Sequence, residues 1–185
     1  RQLVNAALAA SLRGLESLAG IPGTVGGSVR GNAGTWNTEI KDVLTAVEVL
    51  KPHNATWRLK AMPVADGEFG YRDSIFKRQP AWVIARAYFQ LTPGDSKEGE
   101  QLVQEDMRKR RQRQPYDAPS AGSIFKNPDK DRHLFAGSLI EKAGLKGLRI
   151  GGAEISAKHA NFIVNRQSAT ATDVRALIKK AQQEV

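Results

Sequence analysis

An α+β fold is what the sequence predicts, on three observations. Short runs with alternating or β-branched apolar residues dominate the first half of the chain. Helical periodicities mix with short strands in the second half. A strand-dominated half followed by a mixed half is the order of an α+β protein. The 185 residues suffice for one ordinary domain or two small ones, and 41% hydrophobic against 25% charged residues is a globular balance.

In chain order, Leu3, Val4, Ala7, Leu8 and Leu12 fall at helical spacing over residues 1–13, and Gly14 follows as a natural C-cap. A glycine-rich segment occupies 20–34. Val43, Val47 and Val49 mark a strand over 42–50, Pro52–Ala55 a turn, and Thr56–Met62 its hairpin partner. Trp82, Val83, Ile84, Tyr88 and Phe89 give strong β character to 81–91. Thr92-Pro-Gly-Asp95 is a turn cluster that marks a domain boundary. A polar helix follows over 98–113, with Leu102, Val103 and Met107 as a thin apolar stripe, ended by Pro115 and Pro119. Strands near 123–126 and 161–165 bracket a helix over 136–143 stopped by Gly144. The last helix starts near Thr172 and buries Val174, Leu177, Ile178 and Ala181.

Composition excludes several classes of function. With no cysteine there are no disulfides, thiolate metal sites or cysteine nucleophile, which fits a reducing cytoplasm. Three scattered histidines, at 53, 133 and 159, argue against a histidine-rich metal centre, and no metal site is expected. No apolar run approaches the roughly 18 residues of a membrane helix. The formal charge of +9 attracts anions, whether nucleic acid, acidic lipid or nucleotide phosphate. The chain opens on Arg1 inside a helical pattern, without an initiator Met or a secretory signal, so a piece of a longer protein is expected.

Five segments could carry chemistry. Gly20-Ile-Pro-Gly-Thr-Val-Gly-Gly-Ser-Val-Arg-Gly-Asn-Ala-Gly34 could let backbone N–H groups approach phosphate oxygens, or could simply be a loop with tight turns; it matches neither the dinucleotide fingerprint nor the P-loop. In Phe69-Gly-Tyr-Arg-Asp-Ser74, Arg72 offers a planar fork for a carboxylate, or else pairs with Asp73 on a surface loop. In Ser120-Ala-Gly-Ser-Ile-Phe-Lys-Asn-Pro128, Ser123, Lys126 and Asn127 bring a hydroxyl, an ammonium and an amide close together. A hydrolase triad there would need His133 or His159 from a distance.

The run Arg108–Arg113 could grip nucleic acid. However, Glu105 and Asp106 precede Lys109 and Arg110 by four residues, and no aromatic residues interleave, so a solvated helix with one or two arginines turned toward a phosphate fits better. Lys158-His-Ala-Asn-Phe-Ile-Val-Asn165 enters a strand, and His159 there reads as a structural hydrogen-bonder.

Taken together and in this order, these segments closely resemble the UDP-N-acetylenolpyruvoylglucosamine reductase family. Gly144-Leu-Lys-Gly-Leu-Arg-Ile-Gly-Gly152 extends the match, which covers nearly all of the chain. The resemblance implies a bacterial cytoplasmic flavoenzyme of peptidoglycan precursor synthesis, with FAD as cofactor, NADPH as hydride donor and an enolpyruvyl UDP-sugar as substrate. It implies that residues 1–92 are the second half of an FAD domain of the vanillyl-alcohol-oxidase type, and that 93–185 are most of a smaller α+β substrate domain.

By the same resemblance, Arg72 and Ser123 are catalytic, Arg72 stabilising developing charge and Ser123 donating a proton. Gly20, Ile21, Pro22, Gly23, Thr24, Gly26, Gly27, Asn32, Ala33 and Gly34 face the cofactor. Tyr71, Gln114, Lys126 and Asn127 face the substrate. Two parts of the family pattern are missing here: its N-terminal pyrophosphate-binding loop, and a catalytic Glu in its extreme C-terminal segment, for which Glu184 is no substitute. The short spacing from Arg72 to Ser123 favours the subfamily without a tyrosine-bearing lid. Two alternatives stay open: an FAD oxidoreductase of the same superfamily with another substrate, and a non-enzymatic basic nucleic-acid-binding module. No membrane and no specific nucleic acid are expected as partners.

Overall fold

Helix α1 (Gln2–Ala9) buries Val4, Ala7 and Leu8, the periodic apolar positions of its sequence. It stops earlier than its periodicity suggests. Ser11 takes a left-handed backbone (φ 53°), and Leu12 leaves the helix for a short strand, β1 (Leu12–Arg13). β1 pairs antiparallel with β5 (Thr92–Pro93), so a partner some 80 residues away overrides the local helical pattern. Gly14, at φ 124°, therefore turns the chain after a strand rather than capping a helix.

The glycine-rich segment is not all loop. Val25–Arg30 forms α2, and the Thr24 side chain caps it by accepting from the Gly27 N–H at 3.0 Å. The main sheet here consists of β2 (Leu44–His53), β3 (Thr56–Pro63) and β4 (Val83–Phe89), antiparallel in the order β3-β2-β4. Strand β2 runs three residues beyond the expected end, through Pro52. That is possible because its pairing with β4 ends at Leu50, so Pro52 needs a neighbour only on the β3 side. Val47 and Val49 are fully buried on one face and pack with Leu44, Met62 and Phe76. Phe76 lies in the short α3 (Ile75–Arg78) and is completely buried, which contributes about 1.5–3 kcal/mol.

Helix α4 (Ser96–Arg113) begins two residues before the expected start. Its first turns are fixed to the preceding elements: Ser96 Oγ donates to the Leu8 carbonyl (2.6 Å), Glu98 pairs with Arg13 (2.9 Å), and Val103 joins the core around Val47. Leu102, expected in the apolar stripe, is 43% exposed.

The computed structural model describes residues 1–35, 38–129 and 132–185, and these form two compact units, Arg1–Met107 and Arg108–Val185.

The second unit has a four-stranded antiparallel sheet in the order β6-β9-β8-β7, built from β6 (Ser120–Ser123), β7 (Arg149–Ile150), β8 (Ala153–Ile155) and β9 (Phe162–Asn165). Strand β6 lies three residues upstream of the expected 123–126, with a register irregularity between Ser120 and Ser123 and Gly122 at φ 85°. Helix α5 (Ala136–Lys142) and helix α6 (Ala171–Glu184) pack with the sheet around Ile140, Leu145, Ile155, Ile163, Leu177 and Ala181. Helix α6 starts with a capping box: Thr170 accepts from the Asp173 N–H, and Asp173 accepts from the Thr170 N–H.

Candidate functional site

In the first unit the structure gathers Asn32, Gly34, Tyr71 and Arg72. The Arg72 guanidinium donates to the carbonyl of Asn32 through Nη1 (3.2 Å) and to that of Gly34 through Nη2 (2.6 Å). It stands 5.2 Å from the Tyr71 ring centre and 3.7 Å from Glu39 Oε1. Arg72 itself has a left-handed backbone (φ 54°), fixed by the Gly70–Asp73 bridge and by Lys77 Nζ donating to its carbonyl (2.8 Å). Asp73 pairs with Arg78 instead of Arg72. The bland alternative of a surface Arg72–Asp73 pair is therefore not what forms.

Asn32 is completely buried, with φ 43°. Its side-chain amide donates to Glu39 Oε2 and to the Gly70 carbonyl, each at 2.9 Å, and its Oδ1 accepts from the Lys41 N–H (3.3 Å). This side chain knits the segment to its surroundings, and what it presents to a neighbour is backbone. The N–H groups of Gly27, Ser28, Gly31, Asn32 and Ala33 are likewise committed within the segment. In the first part of the segment the Ile21 N–H donates to the Leu18 carbonyl (3.3 Å).

Beside that first part lies a cavity of about 380 Å³, whose lining includes Leu15, Leu18, Ile21, Gly23, Thr24 and Ala33. The size falls in the range of small-molecule sites, roughly 300–1,000 Å³. A Cβ added at Gly23 or Gly26 would meet nothing within 4 Å, so both present bare backbone with open space beside it. Ala33 joins the two features: it lines the cavity, and the carbonyls on either side of it hold Arg72.

In the second unit, Ser123 and Lys126 are exposed, and Asn127 and Gln114 are half-buried. Asn127 Oδ1 accepts from the Ala136 N–H (3.1 Å), which ties this loop to the start of α5. Asn161, which the sequence reading left without a role, is buried and brackets the stretch after Ser123. Its Oδ1 accepts from the Phe125 N–H and its Nδ2 donates to the Phe125 carbonyl, both at 2.9 Å, and its own carbonyl accepts from the Ile124 N–H (2.9 Å). The signal that could have found it is an amide inside the Lys158–Asn165 motif at a strand entry. Glu39 was likewise missed, and its signal lay only in following Asn32-Ala-Gly34 closely.

His159 packs on Phe162 (ring centres 4.8 Å apart), and its Nδ1 accepts from the Asn161 N–H (3.2 Å). Burial holds its pKa below the ordinary 6.5, so it is neutral near pH 7. In the basic run of α4, Arg110 is buried, and the Arg111 carbonyl accepts from Lys158 Nζ (2.5 Å). Among the described residues, no cluster of three His, Asp or Glu could hold a metal ion, and no helix is long and apolar enough to cross a membrane.

Comparison with known proteins places this geometry. Residues 114–185 match the model of the UDP-N-acetylenolpyruvoylglucosamine reductase C-terminal domain family. The UDP-N-acetylenolpyruvoylglucosamine reductase of Carboxydothermus hydrogenoformans is 46% identical over 97% of this chain and 57% of its own length. That of Caldicellulosiruptor bescii is 49% identical over 95% of this chain and 54% of its own. The crystal structure of UDP-N-acetylenolpyruvylglucosamine reductase from Thermus caldophilus superposes on all of this chain with a TM-score of 0.86, at 41% identity and over 65% of the crystallised chain. The chain thus spans rather more than half the length of the relatives it matches, and over that span it is similar to UDP-N-acetylenolpyruvoylglucosamine reductases, with residues 114–185 matching their C-terminal domain.

Proposed function

We propose that this chain contributes to a flavin-dependent reductase that converts UDP-N-acetylglucosamine enolpyruvate to UDP-N-acetylmuramate with NADPH. The observation that carries the reading is Arg72, a guanidinium fixed by the carbonyls of Asn32 and Gly34 beside a cavity lined by the same segment. Residues 1–92 in this reading belong to the flavin domain and 93–185 to the substrate domain.

The first part of the glycine segment fits a flavin because Gly23 and Gly26 leave room for close approach to backbone. Gly20, Ile21, Pro22, Gly23, Thr24, Gly26 and Gly27 would hold it on one side, and the backbone of Asn32, Ala33 and Gly34 on another. When bound, FAD reduced by NADPH supplies a hydride to the outer alkene carbon of the enolpyruvyl group.

That addition leaves negative charge on the carbon next to the substrate carboxylate. Arg72, held in place before the reaction, binds the carboxylate and stabilises the charge as it develops. Ser123 gives its hydroxyl proton to the carbanionic carbon. A hydroxyl is a weak acid, but a carbanion is base enough to take its proton. Tyr71, Gln114, Lys126 and Asn127 bind the UDP-sugar, whose charge also explains part of the basic surplus.

The test separates the two half-reactions. In a protein completed to the length of its relatives, Ser123→Ala is expected to leave flavin reduction by NADPH intact, followed by the loss of visible absorbance. Reoxidation by the enolpyruvyl substrate should then stop. Normal turnover by that variant rejects the proton-donor role, and a completed protein that binds no flavin rejects the reading as a whole.

A further inference from the structure

Glu39 lies outside every residue set discussed so far for binding or catalysis, yet it closes a ring of contacts around the candidate site. Its Oε2 accepts from Asn32 Nδ2 (2.9 Å), the Asn32 carbonyl accepts from Arg72 Nη1 (3.2 Å), and the same Nη1 stands 3.7 Å from Glu39 Oε1. The carboxylate thus holds both the guanidinium and the residue that supplies one of its acceptors.

We propose that Glu39 is a positioning residue for Arg72, setting the plane and place of its guanidinium for an anionic carboxylate ligand. The assignment of that ligand rests on the reductase reading above.

The physical case has three parts. Two carbonyl acceptors, of Asn32 and Gly34, fix the fork through two different nitrogens, so small shifts of either carbonyl rotate it. Asn32 is fully buried and its amide is held on Glu39 Oε2, so its carbonyl cannot adjust independently. Glu39 also supplies countercharge. The Glu39 side chain is only 20% exposed and the Arg72 side chain 33%, so solvent screens the pair incompletely while part of the guanidinium stays accessible. Lys41 Nζ, 3.4 Å from Glu39 Oε2, adds a second cation to the same carboxylate and limits how far it can swing.

Glu39→Gln tests this, because the amide keeps the size and can still accept from Asn32 Nδ2 but carries no charge for Arg72. In the completed enzyme the expected result is a split. kcat for the enolpyruvyl substrate falls about tenfold to a hundredfold, as a displacement of about 1 Å in a positioned group allows. KM for that substrate rises, because Arg72 also grips the carboxylate before reaction, while flavin affinity and reduction by NADPH are unchanged. Unchanged kcat overturns the proposal. A parallel loss of flavin binding and turnover also overturns it, because Glu39 would then support the segment generally.

A second measurement uses the 185-residue chain itself. The rate of phenylglyoxal modification at Arg72, read by peptide mass spectrometry, should rise several-fold in Glu39→Gln, and an unchanged rate overturns the proposal. Absence of turnover in the parent enzyme would remove the reductase reading instead, with the modification rate still deciding the role of Glu39.

Discussion

The side-chain amide of Asn32 donates to Glu39 Oε2 at 2.9 Å from a position with no solvent exposure. A buried amide facing a carboxylate is tolerated only as a donor, so the chemical identity of residue 32 is set more tightly than its size. The same amide reaches the Gly70 carbonyl, two residues before Arg72. The end of the glycine segment and the arginine loop therefore share one polar centre.

Asn32→Asp is expected to destabilise the Arg1–Met107 unit by about 3–5 kcal/mol, the scale for an uncompensated buried charge. Aspartate tolerates the left-handed backbone at φ 43°, so strain does not confuse the result. The cost comes from placing a second carboxylate against Glu39 and the Gly70 carbonyl. The shift of the urea midpoint measures it, and a variant within 1 kcal/mol of the parent would show that the site relaxes around the charge.

The second unit should be acid-labile through Glu154. Burial by itself would raise this carboxyl, but the hydrogen bonds and charges of Arg166 (3.2 Å) and Arg149 (2.5 Å) hold it below the ordinary 4.5. Asp117, paired with Arg166 at 2.5 Å, is lowered in the same direction. A carboxylate with a depressed folded pKa stabilises the fold above its unfolded value, and that contribution disappears as pH falls through the folded one. Thermal unfolding followed from pH 6 downward should weaken below about 4.5, and Glu154→Gln should flatten that dependence. An identical slope in the variant would remove Glu154 from the account.

His159 gives a dependence at milder pH. Burial lowers its pKa below 6.5, with Lys146 acting in the same direction and Glu141 opposing it. The unfolded chain binds the proton more readily than the native one, so stability is complete above about 6.5 and falls as pH drops below it. His159→Gln should remove the change in melting temperature between pH 7.5 and 5.5. A protonated ring would also lose its Nδ1 as an acceptor for the Asn161 N–H, so amide exchange at Asn161 should speed up over the same interval in the parent protein. Exchange that is independent of pH, after correction for its intrinsic rate, would contradict this.

The sequence by itself determined the elements whose signal is local. Thr170 and Asp173 specify the start of α6 through their capping box, and Leu177 and Ala181 mark its buried face. Val47 and Val49 identify the strand that the core is built on. The ordered set of motifs carried the resemblance to the reductases, because glycine segment, arginine loop and serine loop in one order are not a product of periodicity.

The tertiary structure decided what depends on partners far along the chain. Leu12 is a strand residue because Pro93 pairs with it, although its neighbours read as helix. Strand β6 sits at Ser120–Ser123 because β9 offers its pairing edge there. The part played by Glu39 was invisible in sequence, since a glutamate five residues after a glycine has no distinctive spacing. Only the folding of Arg72 back across the carbonyls of Asn32 and Gly34 makes that carboxylate part of a closed ring. Local patterns are set by a residue's neighbours in the chain, whereas such a ring is set by hydrogen bonds across some 40 residues, which no window along the sequence contains.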